Sequence, residues 1–173
     1  MLSCKLRSGH TAWNRLYRAG LFSETRFPEG RIYEDAFTIY KLYFSSTRVV
    51  RHSGVLYYYW QRPDSIASRK FDKQSMDKLE AAESVLAFVV EHCPEFEKQA
   101  LCFRTVSALR LMADLLEAGK GCYPDEFRKI TQILSGKETM RNTCLSYSHK
   151  LLLLLLRISP RLYSKAWKKR LSA

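Results

Sequence analysis

Glu34 and Asp35 are adjacent carboxylates at a position where a chain could do acid–base chemistry. They follow the turn-forming run Phe27-Pro28-Glu29-Gly30 and open the segment DAFTIYKLYFSS, whose apolar residues recur at helical spacing. That sets both at a helix mouth, on a loop. A carboxylate held there can take a proton from a substrate hydroxyl within hydrogen-bond reach. It can equally cap the helix, accepting from free N–H groups at the positive dipole end. Gln61 and Arg62 follow the aromatic run Tyr57-Tyr58-Tyr59-Trp60 and are residue types that clamp a phosphate or a sugar. An arginine at the end of a strand is also commonly just solvated.

Other chemistry is easier to set aside. His10, His52, His92 and His149 are scattered, with no C-x-x-C or H-x-x-x-H spacing, so no metal site is expected. The chain has no G-x-S-x-G, no Walker loop and no G-x-G-x-x-G, which leaves hydrolase, ATPase and dinucleotide readings without support. Five cysteines (Cys4, Cys93, Cys102, Cys122, Cys144) are an odd, irregular set. They read as small core residues of a protein in the reducing cytoplasm rather than as a disulfide framework.

The elements that must position these residues fall into three regions, 1–72, 73–149 and 150–173. The first holds 14 of the 22 aromatics, with 12 basic and 6 acidic residues. It reads as mixed α and β: AWNRLYR as a short strand or the start of a turn, a helix from Asp35, then RVVRHSGVLYYYW as two short strands around Ser53-Gly54. The second region is nearly neutral, with 10 basic and 11 acidic residues. Its periodicity predicts helices from Met76 to near Pro94, from Glu95 to Ala118, from Pro124 to near Gly136, and from Glu138 to Arg157, forming a small bundle. The expected fold class is therefore α+β.

The third region has 7 cations and no acid, and it begins with the leucine run Leu151–Leu156. Six leucines fall far short of the roughly 20 residues that span a bilayer. With Leu162, Tyr163, Trp167 and Leu171, the region suits the headgroup layer of an anionic membrane. Alternatively, the leucines finish the bundle and the cations are solvated. A net charge of +12 also raises nucleic acid as a partner. The neutral middle and the lack of any binding motif argue against it.

The blocks AWNRLYRAGLF, RFPEGRIYEDAFTIYKLYF and VLYYYWQRPDSI, in that order, resemble the C-terminal half of the catalytic domain of bacterial family 2 glycosyltransferases. The resemblance covers about a third of the chain. It implies a truncated GT-A domain, a cytoplasmic enzyme peripheral to the inner face of the cell membrane, working in cell-surface polysaccharide synthesis. It also implies transfer of a sugar from a nucleotide-sugar donor to a glycan acceptor hydroxyl. Asp35 would be the general base and Glu34 its support, with Gln61, Arg62 and Trp13 lining the substrate side. The family uses a divalent metal, Mg or Mn, on an Asp-x-Asp motif, and no Asp-x-Asp occurs in this chain. The rival reading is a non-catalytic binding or scaffold subunit held at a membrane surface by residues 150–173.

Overall fold

Helix-stopping residues divide the chain as the periodicity predicts, with one extra break. The structure, a computed structural model, describes residues 11–60 and 70–171. Seven α-helices lie among them: α1 (Glu34–Ser45), α2 (Asp77–His92), α3 (Glu97–Ala118), α4 (Pro124–Ser135), α5 (Lys137–Arg141), α6 (Tyr147–Ile158) and α7 (Pro160–Leu171). Short 3-10 turns precede several of them. Asp72 and Ser75 form a reciprocal capping box that leads into α2. Pro94 and Pro124 stand at first helical positions, where a missing N–H costs nothing. At the end of α3 the Gly119 N–H bonds to the Leu115 carbonyl with φ at +101°, a conformation that favours glycine.

The extra break separates α5 from α6. Buried Asn142 donates through Nδ2 to the Lys98 carbonyl at 2.7 Å and accepts the Cys144 N–H at 2.8 Å. An asparagine that satisfies its amide on neighbouring backbone offers the chain an alternative to the helical ladder. The predicted single helix from Glu138 to Arg157 becomes two for that reason.

The long helix α3 is the hub and packs against α2, α4, α5 and α7. It buries residues on nearly every side, among them Ala100, Thr105, Ala108, Leu109, Met112 and Leu115, as a helix surrounded by others must. Around it Leu79, Ile130, Leu134, Leu145, Leu152, Leu153, Tyr163 and Trp167 complete the main core. α1 lies on α2, burying Ala36, Ile39 and Leu42. Ile32 donates its N–H to Asp77 Oδ2 at 2.9 Å, and Arg31 reaches Asp77 and Glu80 at 2.6 Å each.

The α+β expectation is overturned, and with it the likeness to a GT-A glycosyltransferase. No strand occurs among the described residues. Residues 47–60 are all exposed and none joins a ladder. The bend at Ser53-Gly54 closes on a side chain instead, with the Gly54 N–H on His52 Nδ1 at 3.0 Å. β-branched and aromatic residues favour a pleated, half-buried surface rather than a backbone angle as such, and an isolated hairpin is marginal in water. With no sheet or helix covering it, the segment's strand preference has nothing to act on. A GT-A domain needs a sheet between helices, and the described residues supply helices alone.

Two substitutions test this architecture. Asp77→Ala leaves the Ile32 amide without its acceptor, and we expect a loss of about 1–3 kcal/mol in chemical denaturation. Faster hydrogen exchange in α1 should accompany it, with Asp77→Asn falling between the variant and the wild type. Trp167→Ala should cost about 3–5 kcal/mol, as for a large core aromatic. A cost no greater than that of an exposed residue would show that α7 is not part of the core.

Candidate functional site

Of the residues singled out by sequence, Trp13, Glu34 and Asp35 lie among the described residues. Glu34 is exposed at the first position of α1, and half-buried Asp35 follows it, accepting the Ala36 N–H through Oδ1 at 2.7 Å. Asp35 is thus engaged with the helix mouth, while the N-cap itself is Tyr33 in a left-handed conformation. Trp13 stacks on Tyr59 and Tyr57, with ring centroids 4.7 and 5.4 Å apart. Its ring contacts are with these tyrosines, and no hydrogen bond among the described residues joins it to Glu34 or Asp35. Gln61 and Arg62 lie outside the described residues.

The sugar-transfer reading therefore loses its frame. No sheet forms among the described residues to make a nucleotide-binding layer, and the assignment as a hexosyltransferase acting on a nucleotide-sugar is withdrawn. The Mg or Mn it implied has no fitting ligands either. Among the described residues no group of three or more His, Cys, Asp or Glu side chains is placed to hold a metal ion. Burial, and then Glu95, push the Cys93 thiol up, away from the thiolate that a nucleophile needs.

What the structure does assemble is a surface on the α6–α7 hairpin. The helical period puts Tyr147, Leu151, Leu154 and Ile158 within roughly 60° of arc on α6, and all four are exposed. The opposite side of α6 carries Leu152 and Leu153 into the core and packs Leu156 against it. The leucine run thus serves two faces, one inward and one outward. On α7, Tyr163 and Trp167 point into the core, and the buried Tyr163 hydroxyl donates to the Leu109 carbonyl of α3. Arg161, Lys165, Lys168 and Lys169 occupy the outer side of α7 and are exposed. Lys168 meets Glu117 of α3 at 3.1 Å. Pro160 opens α7 directly after Ser159, so an apolar stripe and a cationic stripe belong to one hairpin. His149, on the inner side of α6, has its pKa pushed down to about 4 by burial and then by Arg170. It adds no charge to this surface near neutral pH.

A second charged group lies at the seam of α1, α2 and α3. Lys78 Nζ sits 4.9 Å from the centre of the Tyr33 ring. Burial first, then the Arg110 charge, lower its pKa to about 8, with Asp114 acting the other way. Burial likewise raises the Asp114 carboxyl, against Arg110 and Lys78. Paired groups shifted toward neutrality in this way mark functional clefts in many enzymes, and structural seams as well. Here the aromatic partner and the adjacent Asp77 anchor make it a seam.

Sequence reasoning singled out the cationic segment 150–173 but missed the seam and the outer stripe of α6. The seam joins residues more than 30 positions apart, which no local pattern reports. The outer stripe did have a signal, the spacing 147, 151, 154, 158, but it is masked by the unbroken leucines around it. Comparisons with protein-family models, curated proteins and solved structures give no match. The class that fold and surface define is a helical bundle presenting a cationic, amphipathic hairpin.

The seam predicts a pH dependence. The ordinary lysine value is 10.5, against about 8 in the folded chain, so the unfolded chain binds more protons between those values. Stability from this group is complete above 10.5 and is lost as pH falls through 8. Urea denaturation at about pH 7 and about pH 10 should therefore show the wild type gaining stability relative to Lys78→Met, by on the order of 1–3 kcal/mol. Identical pH dependence of the two proteins would mean that Lys78 is solvated.

Proposed function

We propose that this chain is a non-catalytic scaffold subunit that binds an anionic membrane surface through its α6–α7 hairpin. The observation that carries the reading is the exposed stripe Tyr147, Leu151, Leu154, Ile158, joined in one hairpin to exposed cations of a segment, 150–173, that contains no acidic residue. A water-facing stripe of this kind gains free energy by entering the headgroup boundary, and cations beside it gain by meeting anionic lipid. No described helix is long and apolar enough to cross a membrane, so the contact is one of lying on the surface. Anionic lipid is concentrated in the cytoplasmic leaflet, which favours a peripheral position at the inner face of the cell membrane. Tyr163 and Trp167 take no part in lipid contact, because both are held in the core.

Sedimentation with phosphatidylcholine vesicles, with and without phosphatidylserine, tests the reading. Binding is expected only with the anionic lipid and should weaken as salt rises. Each cation near such a surface contributes about 1 kcal/mol, so replacing Arg161, Lys165 and Lys169 by glutamine should lower the partition coefficient by roughly 100-fold. Leu154→Ser with Ile158→Ser should weaken binding without unfolding the bundle, since both side chains are exposed. Equal binding to neutral and anionic vesicles, or none to either, would overturn the proposal.

A further inference from the structure

A second surface of apolar side chains stands on residues 47–60, which follow α1. Val50, Val55 and Leu56 are 71%, 96% and 76% exposed, and Tyr58 and Trp60 are exposed with them. None of these five side chains belongs to either hydrophobic cluster of the bundle. The rings are nevertheless ordered against one another. Trp13 stacks on Tyr57 and Tyr59, and the Tyr58 and Trp60 centroids are 6.1 Å apart. Stacking on Trp13 braces the segment against a residue more than 40 positions earlier in the chain. A surface ordered in this way loses less conformational entropy when a partner meets it.

Composition narrows the partner. The charged residues of 47–60 are Arg48 and Arg51, both exposed, and the segment has no acidic residue, Asn or Gln. A site for a glycan sets carboxylate or amide groups beside its stacking rings to hold the hydroxyls, and the segment supplies neither. Single-stranded nucleic acid would use the rings and the arginines, but it would leave Val50, Val55 and Leu56 in water. The boundary of an anionic bilayer uses all three sets. Aliphatic side chains enter the acyl edge, Tyr and Trp sit at headgroup level, and arginines meet lipid phosphate. The backbone of 47–60 joins no ladder, so its polar groups need water and the contact stays in the headgroup layer.

We infer that residues 47–60, braced by Trp13, are a second membrane-contact element that sets Val55, Leu56 and Trp60 into the boundary of an anionic bilayer. The inference rests on the reading of an anionic membrane as partner, but on none of the α6–α7 residues, so either element can fail alone.

The test is tryptophan fluorescence of the full chain on phosphatidylcholine–phosphatidylserine vesicles with brominated acyl chains, which quench indole on contact. Of the three tryptophans, Trp167 is held in the core. Vesicle binding should quench the emission, and Trp60→Phe, a change at an exposed side chain, should remove most of that quenching. Arg48→Gln with Arg51→Gln should lower the partition coefficient roughly 30-fold, as for two cations at such a surface. Val55→Ser with Leu56→Ser should lower it at least about tenfold. Quenching of Trp60 that persists in the Leu154→Ser, Ile158→Ser protein supports the segment even where α6–α7 makes no lipid contact. Vesicle binding without quenching of Trp60 would overturn the segment and leave the hairpin standing, whereas no binding at all would overturn both. A single-stranded oligonucleotide that shifts Trp60 emission where vesicles do not would also overturn it. So would a dimer in sedimentation velocity that Trp60→Phe dissociates.

Discussion

Asp77 faces two partners that both lie some 45 residues earlier in the chain. One carboxylate oxygen accepts Arg31 and the other accepts the Ile32 N–H. Its own position, the first residue of α2, is where a negative charge is most favoured by the helix dipole. Three consecutive residues are thereby fastened to one helical turn, because the next, Tyr33, lies under Lys78. Tyr33 is also the residue with φ at 60°, a left-handed conformation that costs a tyrosine about 1–2 kcal/mol. The contacts on either side of it offset that cost and set where α1 begins. The direction of α1, and the burial of Ile39 and Leu42 against α2, follow from this anchor.

The same logic of shared faces governs the other end of the chain. α3 needs cover on all sides, and α7 supplies it by placing Tyr163 and Trp167 against α3. To do so α7 must turn its cations outward. α6 adds Leu152 and Leu153 to the core, with Leu155 and Leu156 packed against it, and leaves Leu151 and Leu154 facing water. The amphipathic surface is thus what remains after the core has taken its share.

Much of the helical order was legible from residue patterns. Gly119, Pro124 and Gly136 end or begin helices by mechanisms local to the backbone: α3 stops before Gly119, and α4 runs from Pro124 to just before Gly136. Asn142 broke a predicted helix because its effect depends on reaching the Lys98 carbonyl, 44 residues away in sequence. The segment around VLYYYW failed as a strand for a related reason: pairing needs a partner, and a partner is not a property of the segment. Asp35 was legible as a helix-mouth carboxylate, and that is where it lies. Its proposed chemistry depended on a sheet that is not formed among the described residues.

Local chemistry alone determined the helix boundaries at Gly119, Pro124 and Gly136, the excess of cations at the C-terminal end and the absence of metal-ligand spacing. These depend on backbone sterics, on side-chain charge and on separations of a few residues. Tertiary structure decided which leucines face inward, which lysine is driven toward neutrality and which arginine is left with a buried, unmatched donor. Leu152 and Leu154 are the same residue two positions apart, one buried and one exposed, and only the placement of the core around α6 distinguishes them. Burial is a property of the assembled surfaces, and it is burial that turns ordinary side chains such as Lys78 and Arg104 into distinctive ones.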